Sequence, residues 1–171
     1  SSNFERIDTE GIDIVLALDV STSMLARDFT PDRIGAAKDI AIQFIAERPS
    51  DRIGVVVFAG ESYTQSPLTT DRVTLINLIK EIETGIIEDG TAIGNGLATA
   101  VARLKDSQAK SRVVILLTDG VNNSGEISPQ MAAEIAKTYG VRVYTIGVGK
   151  EGMAPYPVMT PWGVEVKNVQ V

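Results

Sequence analysis

The chain contains no cysteine and no histidine. The first absence excludes disulfides, thiolate zinc sites and cysteine nucleophiles, and leaves the redox compartment open. The second removes the serine-histidine triad, histidine-ligated zinc and a histidine general base. Long hydrophobic runs are missing too: the longest span about eight residues, where roughly 20 are needed to cross a bilayer. This stretch therefore reads as soluble, with any membrane anchor expected outside it. It opens on Ser1-Ser2-Asn3, with neither a start methionine nor a signal-peptide pattern, and so reads as a piece excised from a longer protein. Basic clusters are absent as well. With 16 Lys and Arg against 22 Asp and Glu, the net charge of -6 disfavours a nucleic-acid reader, which needs a basic footprint to engage phosphates.

What remains is an ordinary globular composition, 44% apolar and 22% charged over 171 residues, which suits one domain with one sizeable core. Strand and helix patterns alternate along it. Residues 12–19 read as a strand buried on both faces. Thr30-Pro31 is expected to cap a helix carrying Ile34, Ala37, Ala41, Phe44 and Ile45. Ile53 to Ala59 is a second central strand, and residues 62–68 form an edge strand ended by Pro67. Asp71 starts a helix with Val73, Ile76, Ile79 and Ile82 on one face. Ala92 to Leu104 is helical with Leu97, Val101 and Leu104 inward; Val113 to Thr118 is a strand. Ser128-Pro129 caps a helix that stops at Gly140, and Val141 to Val148 is the next strand. The order predicts an α/β fold: a doubly wound, mostly parallel sheet with helices on both faces. Residues 1–10 are a lead-in, 11–149 the domain, and 150–171, with Pro155, Pro157 and Pro161, an extended tail or hairpin of the same domain.

Oxygen-bearing side chains gather at the strand ends. Asp19, Ser21 and Ser23 follow the run Ile12-Asp13-Ile14-Val15-Leu16-Ala17-Leu18, Thr91 precedes a small-residue helix, and Asp119 ends another apolar strand. Open α/β sheets bind ligands at the carboxyl ends of their strands, so the five residues are expected to converge on one metal from three loops. Taken singly, each segment has a plainer role, since serines after a strand commonly cap the next helix. Carboxylate and hydroxyl oxygens without nitrogen or sulfur suit magnesium, with manganese or calcium as alternatives, rather than zinc or copper. Two acids balance a divalent ion, and octahedral coordination leaves a position for an outside ligand.

Asp19-Val20-Ser21-Thr22-Ser23, the Thr91 loop and Thr118-Asp119-Gly120 resemble the metal-ion-dependent adhesion site of von Willebrand factor A domains. The resemblance runs from about Gly11 to Gly149. The segments Asp51-Arg52-Ile53-Gly54-Val55-Val56-Val57-Phe58-Ala59-Gly60, Glu88-Asp89-Gly90-Thr91-Ala92-Ile93-Gly94 and Gly152-Met153-Ala154-Pro155-Tyr156-Pro157 are similar to the bacterial Bat aerotolerance proteins. This resemblance implies a six-stranded sheet with a magnesium-type site at its top. It also implies that Ser21, Ser23 and Thr91 are direct ligands and that Asp19 and Asp119 often act through water. It further implies an inner-membrane-anchored protein with this domain on the periplasmic side, and a functional link to MoxR-type ATPases, other Bat proteins and stress tolerance. The family's last strand and closing helix are not found after Val148, as if the chain were truncated before them.

The expected function is a non-catalytic module whose metal accepts an Asp or Glu from a protein partner. Met24, Leu25 and Tyr63 are candidates for its rim or equally for packing, the Asn122-Asn123-Ser124 loop for its rim or a plain turn, and Trp162, Tyr156 and Met153 for a partner patch or core cover. One alternative keeps the metal as a loop brace, with partner contacts elsewhere. Another is a haloacid-dehalogenase-type phosphatase with Asp19 as nucleophile and Thr118 on the phosphoryl group, a pattern that wants an acid where Ser21 stands. A nucleotide site on Gly90, Gly94 and Gly96 fits neither the dinucleotide fingerprint nor a P-loop.

Overall fold

The computed structural model describes residues 11–120 and 124–149, and the backbone of the strands at 159–160, 163–164 and 166–169. In chain order the strands are β1 (Ile12–Asp19), β2 (Arg52–Phe58), β3 (Ser62–Thr69), β4 (Ser111–Thr118), β5 (Arg142–Val148), β6 (Met159–Thr160), β7 (Gly163–Val164) and β8 (Val166–Val169). The α-helices are α1 (Arg33–Ala46), α2 (Arg72–Lys80), α3 (Ile93–Leu104) and α4 (Pro129–Thr138). Six strands form one sheet in the order β3-β2-β1-β4-β5-β8, parallel except for β3, while β6 and β7 pair with each other.

Period-two alternation along β1 builds two apolar layers. Ile14, Leu16 and Leu18 join Ala37, Ile45, Leu75 and Ile79 on the side of α1 and α2. Val15 and Ala17 join Leu97, Val101, Leu104 and Ala136 on the side of α3 and α4. The central strands are buried on both faces, which is why they read as unbroken apolar runs.

Several local expectations need correction. Asp32, not Thr30, caps α1: its carboxylate accepts from the Gly35 N–H at 2.8 Å, and Pro31 lies before the helix with its ring against Gly35. Strand β3 does not end at Pro67 but runs to Thr69, because an edge strand with shifted register tolerates a residue lacking an N–H. Val73 is 72% exposed on α2, and Leu75 takes the inward place beside Ile79 and Ile82. A further strand does follow Val148. β8 pairs in parallel with β5, Thr145 opposite Val166 through Val148 opposite Val169, and supplies the sixth strand. Among the described residues no helix follows β5.

Asp13 and Asp19 bracket β1 on the same side as Val15 and Ala17. At the amino end, Asp13 is buried and receives Arg52 Nε at 2.9 Å, Arg52 Nη2 at 2.5 Å and Ser107 Oγ at 2.5 Å. Burial alone would raise this carboxyl, but the Arg52 guanidinium and the Ser107 hydroxyl outweigh it and hold the group below its ordinary value of 3.8. A depressed carboxyl stabilises the fold above the unfolded value, and that contribution is lost as pH falls through the lower folded one. Asp13→Asn should therefore cost about 1–3 kcal/mol at neutral pH, as removal of a buried hydrogen-bond acceptor does. Urea unfolding followed across pH should show the wild-type advantage steady from about pH 5 to 8 and shrinking below about pH 4. An advantage unchanged in acid would mean that the Asp13 charge contributes nothing.

Candidate metal centre

The chain winds outward from β1 to β2 and β3 on one side, and then crosses to build β4, β5 and β8 on the other. The winding reverses between β1 and β4, and the crevice above such a reversal is where open α/β sheets bind ligands. Leu18 pairs with Leu117, so Asp19 and Thr118 stand level at its mouth.

Past Asp19, the Val20 N–H bonds the Phe58 carbonyl at 2.8 Å and the chain enters a 3-10 turn, Thr22–Leu25. At about three residues per turn, positions i and i+3 share a side. Ser21 and Met24 accordingly face inward, 3% and 0% exposed, while Thr22, Ser23 and Leu25 face out. Met24 thus belongs to the core and not to the rim; Leu25, 48% exposed, is the apolar residue available there.

Asp19 has no exposed surface, and both its oxygens are engaged. Oδ1 accepts from the Ser21 N–H at 2.8 Å and Ser21 Oγ at 2.6 Å; Oδ2 accepts from Thr118 Oγ1 at 2.7 Å. Ser21 Oγ lies 3.0 Å from Ser23 Oγ, which donates to Asp119 Oδ1 at 3.1 Å. Polar contacts therefore run unbroken from the end of β1 to the residue after β4 and join four of the five expected site residues.

Thr91 arrives from a third direction and is 5% exposed. Its Oγ1 would lie 3.9 Å from a Cβ placed on Gly120, which sets it beside the turn that carries Asp119. Its loop is fixed by the Ala92 N–H on the Ala59 carbonyl at 2.7 Å, and by Gly90, whose φ of +125° disfavours a residue with a side chain. Asp89 ties this loop to the first one, accepting from the Thr22 N–H at 3.1 Å and Thr22 Oγ1 at 2.8 Å. Gly94 permits α3 to approach Ile127, where a Cβ would overlap the carbonyl, so it serves packing.

Electrostatically the cluster is rich in acceptors. Burial pushes the Asp19 carboxyl up to about 6, against the lowering effect of the Ser21 and Thr118 hydrogen bonds, and the Asp119 charge adds to the rise. The Ser21 and Ser23 hydroxyls each have one proton, and each has a carboxylate to give it to. Two protons thus serve three contacts, the 3.0 Å meeting of the two hydroxyls among them, so one of the three is left without a hydrogen. Such an arrangement fits a cation, and its all-oxygen donor set suits a hard one. Among the described residues no group of three or more His, Cys, Asp or Glu gathers anywhere, so a divalent ion here has to rely on hydroxyls as well as acids.

Two participants, Arg33 and Asp28, escaped the sequence reading, and a third, Thr118, read there only within the strand-end motif or as a phosphoryl contact, braces Asp19. Arg33, the first residue of α1, places Nη1 2.9 Å from Asp119 Oδ2 while Nε and Nη2 reach Asp28 Oδ1 and Oδ2, each at 2.8 Å. The Asp28 carboxylate, and after it Asp119, hold this guanidinium more firmly protonated than usual in spite of its burial. Of these, only Thr118 carried a signal, its place beside Asp119 at a strand end. Tyr63 is half-buried against the α1 side of the core. Asn122, Asn123, Met153, Tyr156 and Trp162 lie outside the described residues.

Known structures share this architecture. An aerotolerance-related membrane protein from Bacteroides fragilis is 32% identical, with a TM-score of 0.77 over 86% of this chain and 72% of that one. BatB from Bacteroides thetaiotaomicron is 28% identical, with a TM-score of 0.78 over 94% and 91%. Proximal thread matrix protein 1 from the mussel byssus, with zinc occupying its metal-ion-dependent adhesion motif, is 28% identical, with a TM-score of 0.70 over 82% and 37%. The chain spans 41%, 45% and 50% of the lengths of three curated relatives that it matches. Residues 13–160 match the von Willebrand factor type A domain, and with this sheet order and these solved relatives the chain belongs to that family.

Proposed function

We propose that this domain is a non-catalytic interaction module in which Asp19, Ser21, Ser23, Thr91 and Asp119 form a site for a divalent cation of the magnesium class, with manganese or calcium as alternatives, Asp19 acting through the Ser21 hydroxyl rather than by direct contact. A carboxylate from a partner protein completes the site. The observation that carries this reading is the meeting of the Ser21 and Ser23 oxygens between two acids, an electron-rich pocket short of protons. Asp19 points the same way: a buried carboxyl raised to about 6 is stabilised in its charged form by a nearby cation. A bound divalent ion supplies positive charge and an exchangeable coordination position. The zinc in the adhesion motif of the mussel protein supports a metal at the equivalent place.

The aerotolerance-related membrane protein among its relatives supports a role in a Bat-type protein. In that setting the domain faces the periplasm, segments outside this chain hold it to the inner membrane, and MoxR-type ATPases and other Bat proteins are functional associates in stress tolerance. Against a phosphatase stand the zero exposure of Asp19 and the engagement of both its oxygens, which leave no free nucleophile, and the serine at position 21.

Calorimetric titration with magnesium or manganese should find one site in the wild type. Ser21→Ala and Asp19→Ala should weaken it by at least the roughly 10–100-fold typical of a lost supporting group. Magnesium at about 100 times its Kd should stabilise the wild-type fold by about 2.7 kcal/mol. Equal binding by all three proteins would remove the site from these residues.

A screen of phosphomonoesters with magnesium should find no turnover, because the site presents no general acid at position 21 and the chain has no histidine. Turnover abolished by Asp19→Asn would replace the interaction module with an enzyme.

Partner capture from membranes should require the metal. Protein retained in magnesium should be released by chelator, and Thr91→Ala should weaken the complex because it removes the hydroxyl supplied by the third loop. Retention undiminished by chelator would move the interface elsewhere and leave the ion as a brace between loops.

A further inference from the structure

We propose that Arg33 sets which divalent cation this site prefers, by holding Asp119 to the use of a single oxygen. The inference rests on the metal reading above. It begins with the unequal surroundings of the two Asp119 oxygens. Oδ1 accepts from Ser23 Oγ at 3.1 Å and so faces the cluster, whereas Oδ2 accepts from Arg33 Nη1 at 2.9 Å.

Arg33 has little freedom to release it. Its Nε and Nη2 form a two-point fork on Asp28, each at 2.8 Å, and its own N–H bonds the Ala26 carbonyl at 2.8 Å. Asp32 caps the helix that Arg33 begins, fixing where the side chain starts. The side chains of Arg33, Asp28 and Asp119 are 12%, 11% and 1% exposed, so water offers little replacement for a broken contact. Charge-assisted, planar pairs of this kind are the stronger class of hydrogen bond, and their geometry is specific.

Denticity separates the cations. Magnesium demands near-ideal octahedral geometry at about 2.0–2.1 Å, which one oxygen per carboxylate satisfies. Calcium takes about 6–8 oxygens at 2.3–2.6 Å and readily uses both oxygens of an acid. An Asp119 tethered through Oδ2 serves the first need and frustrates the second. Net charge does not account for the effect, because Arg33 at +1 and Asp28 at -1 sum to zero. Arg33 is thus a positioning residue, acting through Asp119.

The test is the ratio of calcium to magnesium affinity, measured by titration calorimetry on the wild type, Arg33→Gln and Asp28→Asn, with thermal unfolding to verify that each is folded. Arg33→Gln should raise the ratio by about tenfold, the scale on which groups behind a metal ligand act. Asp28→Asn, which loosens the fork but keeps the arginine, should move the ratio in the same direction by less. A merely structural role would lower both affinities together and leave the ratio alone. If Arg33→Gln does not fold, Asp28→Asn decides by itself. Unchanged ratios with magnesium still bound by the wild type would overturn the role of Arg33 and leave the metal site standing; no divalent binding by the wild type would overturn both.

Discussion

Asp19 carries a carboxyl group into a place without water, and burying such a group is unfavourable unless hydrogen bonds or an opposite charge compensate. The surrounding loops are arranged to meet that need. Ser21 turns back on the carboxylate with both its N–H and its hydroxyl, and Thr118 reaches it from the neighbouring strand. Those contacts fix the course of the chain after β1 and the spacing of the β1 and β4 ends. Asp89 then brings the Thr91 loop to Thr22, so the third segment is positioned by the first. The carboxyl nonetheless stays raised to about 6, which shows that hydroxyls and one amide offset burial only in part.

The two ends of β1 solve the same problem differently. Asp13 and Asp19 lie on one side of the strand, both buried, each next to apolar residues. At Asp13 a guanidinium closes the account within the chain, and the carboxyl falls below its ordinary value. At Asp19 neutral donors face the acid, and the Arg33 guanidinium at the same site goes to Asp119 and Asp28. A buried acid matched by its own cation is neutralised within the fold, whereas one left to hydroxyls stays raised.

Much of this could be read from the chain. The central strands were legible because burial on both faces makes them continuous apolar runs, and the nearness of Asp19, Ser21, Ser23, Thr91 and Asp119 because they sit in short segments at strand ends, which parallel topology collects at one edge. Asp71 and Ser128 were readable as caps, and both accept the expected N–H, from Thr74 and Met131. What escaped depended on partners distant in sequence. Nothing local to Arg33 announces an acid 86 positions away. β8 is four residues long and finds its partner 21 positions earlier, too short for periodicity to separate from a loop. Met24 reads as rim or core because it follows three polar residues, and a 3-10 turn, which returns every third side chain to the same side, settles it for the core. Val73 misled for a related reason: a helix of nine residues offers too few turns to fix which face is inward.

The antiparallel flank of the sheet has a consequence of its own. β3 is the outermost strand there, its register against β2 slips twice, and Pro67 interrupts its row of donors. An extended segment of another molecule, approaching to lengthen the sheet, would meet a broken and unevenly spaced set of main-chain groups. The domain is guarded on that flank against the indiscriminate stickiness of exposed strands, and any neighbour it accepts there has to be chosen by its side chains.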